Sequence, residues 1–226
     1  MNLPQSELDR ITGKVITNIH KCYDREQAQL ASLAETAQTE GVIRDAAGNL
    51  VESLLQNIFD TINTEIPGAN IESIVGGRDR LSKTIHYKGR DVEFNQIQVD
   101  RHIFSNKKRI AFIENKTYLD SCYYDRALAD FRKIAQSLKQ HGTDPADVKY
   151  IVFAGQNAAK DKTLFVYEAD FWDDTKHLTS DPNGIESKIF FFLKNKRSSA
   201  KPLYKVKHEL DDDVIKKFVS FIIEIL

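Results

Sequence analysis

"VDRHIFSNKKRIAFIENKTYLD", residues 99–120, is the stretch whose reading decides the fold. Apolar and polar residues alternate through 91–104 and again through 109–119, and the polar turn 105–108 separates them. That is the pattern of two strands joined as a hairpin. On the second strand Ile110, Phe112, Glu114, Lys116 and Tyr118 share one face, while Ala111, Ile113, Asn115, Thr117 and Leu119 share the other. Glu114 and Lys116 are therefore same-face neighbours, about 7 Å apart by the rise of a strand. An antiparallel return brings Asp100 toward Glu114, provided a bulge or twist adjusts the register. Two adjacent carboxylates repel, and burying them without compensation is costly. A divalent cation removes that cost. Mg²⁺ suits the place because it takes one or two carboxylates and keeps water for the rest. A neighbouring lysine can then orient or help deprotonate a water, or offset charge building on a phosphate oxygen. Two carboxylates, one hard cation and one ammonium make a phosphodiester-hydrolysis site.

Asp100, then Glu114-Asn115-Lys116 fourteen residues on, with a helix following at once, resembles the PD-(D/E)xK nuclease motif. Val99 stands where the name motif has proline. The likeness covers roughly 45–155, and within the superfamily the chain looks like a type II restriction endonuclease, by its size one of the SwaI and PmeI group of rare blunt cutters. The resemblance implies an α/β fold, a mixed central β-sheet flanked by helices, with a long N-terminal helix ahead of the core. It implies Asp100 and Glu114 as metal ligands, completed by the backbone carbonyl of Asn115, and Lys116 as the catalytic lysine. It offers Glu52, in GNLVESLL, as the acid that many members carry on an earlier helix; a solvated helix acid is the other reading of that residue. It further implies Mg²⁺ as cofactor, double-stranded DNA as substrate, a homodimer matching a palindromic site, and a cognate DNA methyltransferase in a restriction-modification system. Two alternatives stay open: a Holliday-junction resolvase or repair nuclease of the same superfamily, and a non-catalytic DNA-binding protein in which Asp100, Glu114 and Lys116 form a structural ion-pair cluster.

Working outward, residues 6–39 carry apolar residues three and four apart and read as one long helix ended by Gly41. A second helix over 45–62 has Asp45 as its cap. A strand is expected at 71–75 and a flexible point at Gly76-Gly77. Past the hairpin a helix begins at Asp120 and stops at His141-Gly142. YIVFA (150–154) reads as a strand buried on both faces, 164–167 and 189–193 as further strands, and 214–226 as a closing helix behind an acidic first turn at 211–213. The expectation is one nuclease domain over 1–226: N-terminal helices 1–64 as the candidate dimerisation part, a catalytic core 65–170, and a C-terminal part 171–226 with a basic DNA-contact loop.

Composition agrees with a soluble globular chain: of 226 residues, 41% are hydrophobic and 29% charged. No apolar run is long enough for a membrane span. The polar start, MNLPQSELDR, does not read as a secretory signal. Cys22 and Cys122 stand a hundred residues apart and read as reduced thiols of a cytoplasmic protein. With 32 Lys and Arg against 33 Asp and Glu the net charge is −1, so a polyanion must be held by local patches. Two basic stretches, 76–90 and 186–208, supply them. Candidate DNA contacts are Arg78, Arg80 and Lys83 in the first, and Asn195, Lys196 and Arg197 in the second. The loop AGQNAAKDK adds Lys160, together with Gln156 and Asn157, whose side-chain amides suit adenine edges. Tyr118, Tyr123 and Tyr124 cluster after Lys116 and suit either phosphate contact or core packing. His102 shares a face with Asp100 but reads as a satisfied histidine. No Walker loop, G-x-S-x-G or G-x-G-x-x-G occurs.

Overall fold

A computed structural model describes residues 3–37, 39–76, 81–97, 99–140, 142, 144, 147–160, 162–167, 169, 187–198 and 202–226, with backbone alone at 81–85, 87 and 92–97. Helix α1 spans Gln5–Thr36 and buries Ile11, Val15, Ile19, Cys22, Tyr23 and Leu30 along one stripe. Helix α2 spans Glu40–Glu65. The two run antiparallel, as the cross-links Lys14–Glu65 at 2.7 Å and Asn18–Thr61 at 3.2 Å record. Their boundary differs from the expected one. The chain leaves the helix at Ala37 and re-enters after Thr39, both extended, so that Gly41 lies in the first turn of α2 and Asp45 is an exposed residue inside it.

Five strands form the main sheet: β1 (Ile71–Val75), β4 (Arg101–Ser105), β5 (Lys108–Leu119), β6 (Lys149–Asn157) and β7 (Ser187–Phe191), in the order β1-β4-β5-β6-β7. β1, β4 and β5 are antiparallel; β5, β6 and β7 are parallel. The sheet is thus mixed, as expected. Helix α3 (Ser121–Gln140) makes the crossover from β5 to β6, and Asp120 starts it by accepting the Tyr123 N–H at 3.0 Å. Helix α4 (Asp212–Ile225) closes the chain, with Asp211 accepting the Val214 N–H. Residues 162–167 are helical, not a strand. Their alternation is too short to separate the two periods, and Leu164 donates its N–H to the Lys160 carbonyl at 2.9 Å, a helical bond.

The layers follow from the alternation on β5. Ala111 and Ile113 join α1, α2 and α4 in the larger core, while Phe112 faces α3 with Tyr150 and Val152 of β6. β6 is buried at all but its first residue, as a central parallel strand should be. Gly155 permits its close approach to β5: a Cβ there would lie 2.4 Å from the Thr117 carbonyl oxygen.

Residues 91–104, which read as a single strand, divide between two sheets. β2 (Leu81–Tyr87) and β3 (Arg90–Ile97) form a separate two-stranded ribbon turned at Lys88 and Gly89, both with positive φ. The ribbon is an excursion between β1 and β4, and its root is tight. Gly76 donates its N–H to the Asp100 carbonyl at 3.1 Å, and a Cβ on Gly76 would lie 1.5 Å from the Val99 oxygen.

Candidate active site

The hairpin β4–β5 turns on two residues, Asn106 and Lys107, both in the left-handed region (φ 49° and 66°). Ser105 pairs with Lys108 across it. Continued without change, that register would set Asp100 across from Ile113, on the wrong face. It does change: Phe104 pairs with Arg109 but Ile103 with Ala111, so Ile110 is an extra residue in β5. Arg101 then pairs with Ile113, and the residue before it, Asp100, comes level with Glu114. The bulge assembles the site.

Three side chains meet there. Lys116 Nζ donates to Asp100 Oδ2 at 2.7 Å and to Glu114 Oε2 at 2.7 Å. The backbone N–H of Asn115 donates to the same Asp100 oxygen at 2.8 Å. Glu114 is only 4% exposed, whereas the Asp100 side chain is 38% exposed. Burial first, and the Asp100 carboxylate second, push the Glu114 carboxyl up to about 8. Burial works against the charge of Lys116, but Glu114 and Asp100 outweigh it and raise the ammonium above its usual value. Lys116 is therefore cationic at any physiological pH.

One atom of this cluster has no donor: Glu114 Oε1 is buried and accepts no hydrogen bond, and only while the carboxyl keeps its proton does it bond to Asp100. A buried carboxylate oxygen without a donor is costly. It fits a hard cation as the missing partner. Among the described residues no group of three or more His, Cys, Asp or Glu is arranged to hold a metal. Two carboxylates and a backbone carbonyl suit Mg²⁺, which retains water in the rest of its shell.

Around the three groups opens a cleft of about 640 Å³. Its wall on α2 includes Arg44 and Gly48; a Cβ on Gly48 would meet nothing within 4 Å. The far side includes Leu203 and Tyr204, and the floor Tyr118, Tyr123, Arg126 and Arg197. The α2 wall and the 202–204 segment carry no motif, so the sequence reading passed over them. An isolated glycine within a helical pattern was the one signal of an opening there.

The other candidates fall as follows. Glu52 stands on α2 but outside the cleft lining, and its Oε2 accepts from Arg101, the neighbour of Asp100, at 2.7 Å. Gln156 and Asn157 are buried at the end of β6: Gln156 lines the cleft while its Nε2 donates to the Asn195 carbonyl at 3.4 Å, and Asn157 Oδ1 accepts the Ala159 N–H at 2.9 Å. Lys160, Asn195 and Lys196 are exposed, and Arg197 is half-buried in the cleft. Lys83 lies on β2 opposite Phe94, and Arg78 and Arg80 lie outside the described residues. His102 is fully buried, its ring edge-on to Phe112 at 5.1 Å, and belongs to the core. The tyrosines divide. Tyr124 is buried and stacks on Tyr167, while Tyr118 and Tyr123 meet edge to face at 5.5 Å in the cleft.

No protein-family model matches the sequence, and no curated protein does. Among solved structures the chain is similar to NucC of P. aeruginosa ATCC27853 in its cAAA-bound form, over 99% of this chain and 92% of that one, at 10% identity and a TM-score of 0.42. A likeness of this degree carries no argument about activity, and the chemistry of the cleft rests on its own side chains.

Proposed function

We propose that the chain is a Mg²⁺-dependent endodeoxyribonuclease with a PD-(D/E)xK-type site, acting as a type II restriction enzyme on double-stranded DNA. The observation that carries this reading is the convergence of Asp100, Glu114 and Lys116 through 2.7 Å contacts, with a buried Glu114 oxygen that no protein donor reaches once the carboxyl is ionised. Asp100, Glu114 and the carbonyl of Asn115 would hold the ion. When bound, it supplies Lewis-acid polarisation of the phosphate and a lowered pKa for the attacking water.

The chain's own groups do the rest. Glu114 would hold the ion as a carboxylate, and because its pKa is raised, a proton must leave it first near neutrality. Lys116, released from its bridge between the two acids, donates to the attacking water or to a phosphate oxygen and offsets the charge that builds there. The Asn115 N–H fixes one oxygen of Asp100, so the carboxylate keeps its aim. Exposed Lys160 and Lys196 and the cleft arginines would supply the cationic groups for the DNA backbone. A cutter of both strands needs two such sites, hence a homodimer, and a cell carrying it needs a methyltransferase to shield its own DNA. Such a pair of enzymes works in the cytoplasm.

Incubation with plasmid DNA and Mg²⁺ tests the reading. Discrete bands that vanish in Lys116→Met and Glu114→Gln support it. Cleavage of branched DNA alone reassigns the substrate to junctions. DNA binding without cleavage under any divalent cation makes the three residues a structural ion-pair cluster.

A further inference from the structure

Beyond Lys116 on the same face of β5, two residues on and so roughly 7 Å along the strand, comes Tyr118. Arg197 covers its ring, with the guanidinium carbon 3.4 Å from the centroid. That contact uses the flat face of the guanidinium and leaves its in-plane N–H edge for other partners. Among the described residues no acid pairs with Arg197. The platform is rigid on both sides. Tyr123 braces Tyr118 edge-on. The segment bearing Arg197 is tied to the end of β6 by Phe192 N–H to Ala154 O, Leu193 N–H to Gly155 O and Arg197 N–H to Asn157 O, each at 3.0 Å. Gln156 adds its amide to the Asn195 carbonyl, in a turn where Asn195 has φ 69°. Arg197 and Lys116 open into one cleft.

A half-buried arginine, held flat on a ring with no acid beside it, is a preorganised receptor for an oxyanion. One strand-step from the reacting centre, the anion it meets on a polynucleotide is the next phosphate. We infer that Arg197, oriented by Tyr118, binds the phosphate adjacent to the scissile one, so that the site acts on a strand and not on an isolated phosphodiester. The inference rests on the nuclease reading and assigns to that site a second subsite.

Duplex DNA carrying a single uncharged methylphosphonate, moved one position at a time around the cut, tests it in the full-length protein with Mg²⁺. In the wild type, one neutral linkage next to the scissile phosphate should lower kcat/KM about tenfold or more, the worth of a lost charge-assisted contact. Arg197→Ala should show that loss on unmodified DNA and no further loss at that one position, while staying as sensitive as the wild type elsewhere. Tyr118→Phe, which keeps the ring, should keep the wild-type pattern of sensitivity along the strand whatever its overall rate; Tyr118→Leu should follow Arg197→Ala. Arg197→Ala remaining as sensitive as the wild type at every neighbouring phosphate would overturn the subsite and leave the nuclease reading standing. Tyr118→Leu matching the wild type would remove the platform from the inference. Wild-type protein that cuts no DNA would take down the nuclease reading itself, and the subsite with it.

Discussion

Glu114→Gln should flatten the pH dependence of stability in the metal-free protein. The Glu114 carboxyl is almost fully buried and is pushed up to about 8, from an ordinary value of 4.5. Between those two values the folded chain holds one proton more than the unfolded chain. Unfolding then releases a proton, and stability falls as pH rises. The contribution is intact below 4.5 and gone above 8. Each pH unit in that window is worth about 1.4 kcal/mol, so the full span is on the order of 3–5 kcal/mol, allowing for Asp100 and Lys116 relaxing together with Glu114. For a chain of this length that is a drop in Tm of roughly 10 °C. Lys116 does not confuse the window, because a lysine pKa raised above 10.5 loses its contribution only at higher pH. The assay is thermal or urea unfolding from pH 5 to 8.5 in chelator, wild type beside Glu114→Gln. The wild-type curve should descend and the variant should stay level. Mg²⁺ should rescue the wild type more at pH 8 than at pH 6, since the ion must displace the proton. Two parallel curves across the window would refute the buried, proton-holding carboxyl and, with it, the account of why this site calls for a cation.

Lys116→Met should keep Ca²⁺-supported DNA binding but slow cleavage about 100- to 1,000-fold, in the range for one lost transition-state donor; a variant that cuts at the wild-type rate would remove the lysine from the chemistry. Glu52→Gln, which weakens only the ion pair to Arg101, should cost about 1 kcal/mol and change cleavage less than tenfold; loss of divalent-ion binding in a titration would instead make Glu52 a ligand. Gly155→Ala should destabilise by roughly 1–3 kcal/mol because its Cβ meets the Thr117 oxygen at 2.4 Å and must push β6 from β5; an unchanged urea midpoint would show that the strands part without cost.

Where the sequence spoke clearly, the period and the chemistry agreed. The hairpin, its acids, the bulge that their meeting required, and the helix after Asp120 were all legible, because a carboxylate at an inward strand position has few explanations. The extent of β3 was not. Apolar residues recur on both sides of residue 98, and the alternation does not register a chain passing from one sheet to another. Gly76 against Val99 marks that passage, but closeness between residues so far apart leaves no trace in a pattern. The residues after the apolar run read as a polar loop, yet β6 continues through Gln156 and Asn157, and of the two Gln156 lines the cleft. Arg197 was found by its charge alone; its platform depends on a pairing of Tyr118 with a residue from the opposite end of the core.

The extra residue at Ile110 also carries a rule of arithmetic. In a hairpin turned on two residues, facing positions are always an odd number apart, as Ser105 and Lys108 are. Asp100 and Glu114 are separated by an even number, fourteen, which an undisturbed ladder of this kind cannot place face to face. Parity is thus conserved between turn length and bulge. A sequence with the aspartate and the E-x-K an odd distance apart needs no bulge over a two-residue turn, while an even distance demands either a bulge or a turn of odd length. Kindred chains can be sorted by that count together with the length of the turn, before any coordinates exist for them.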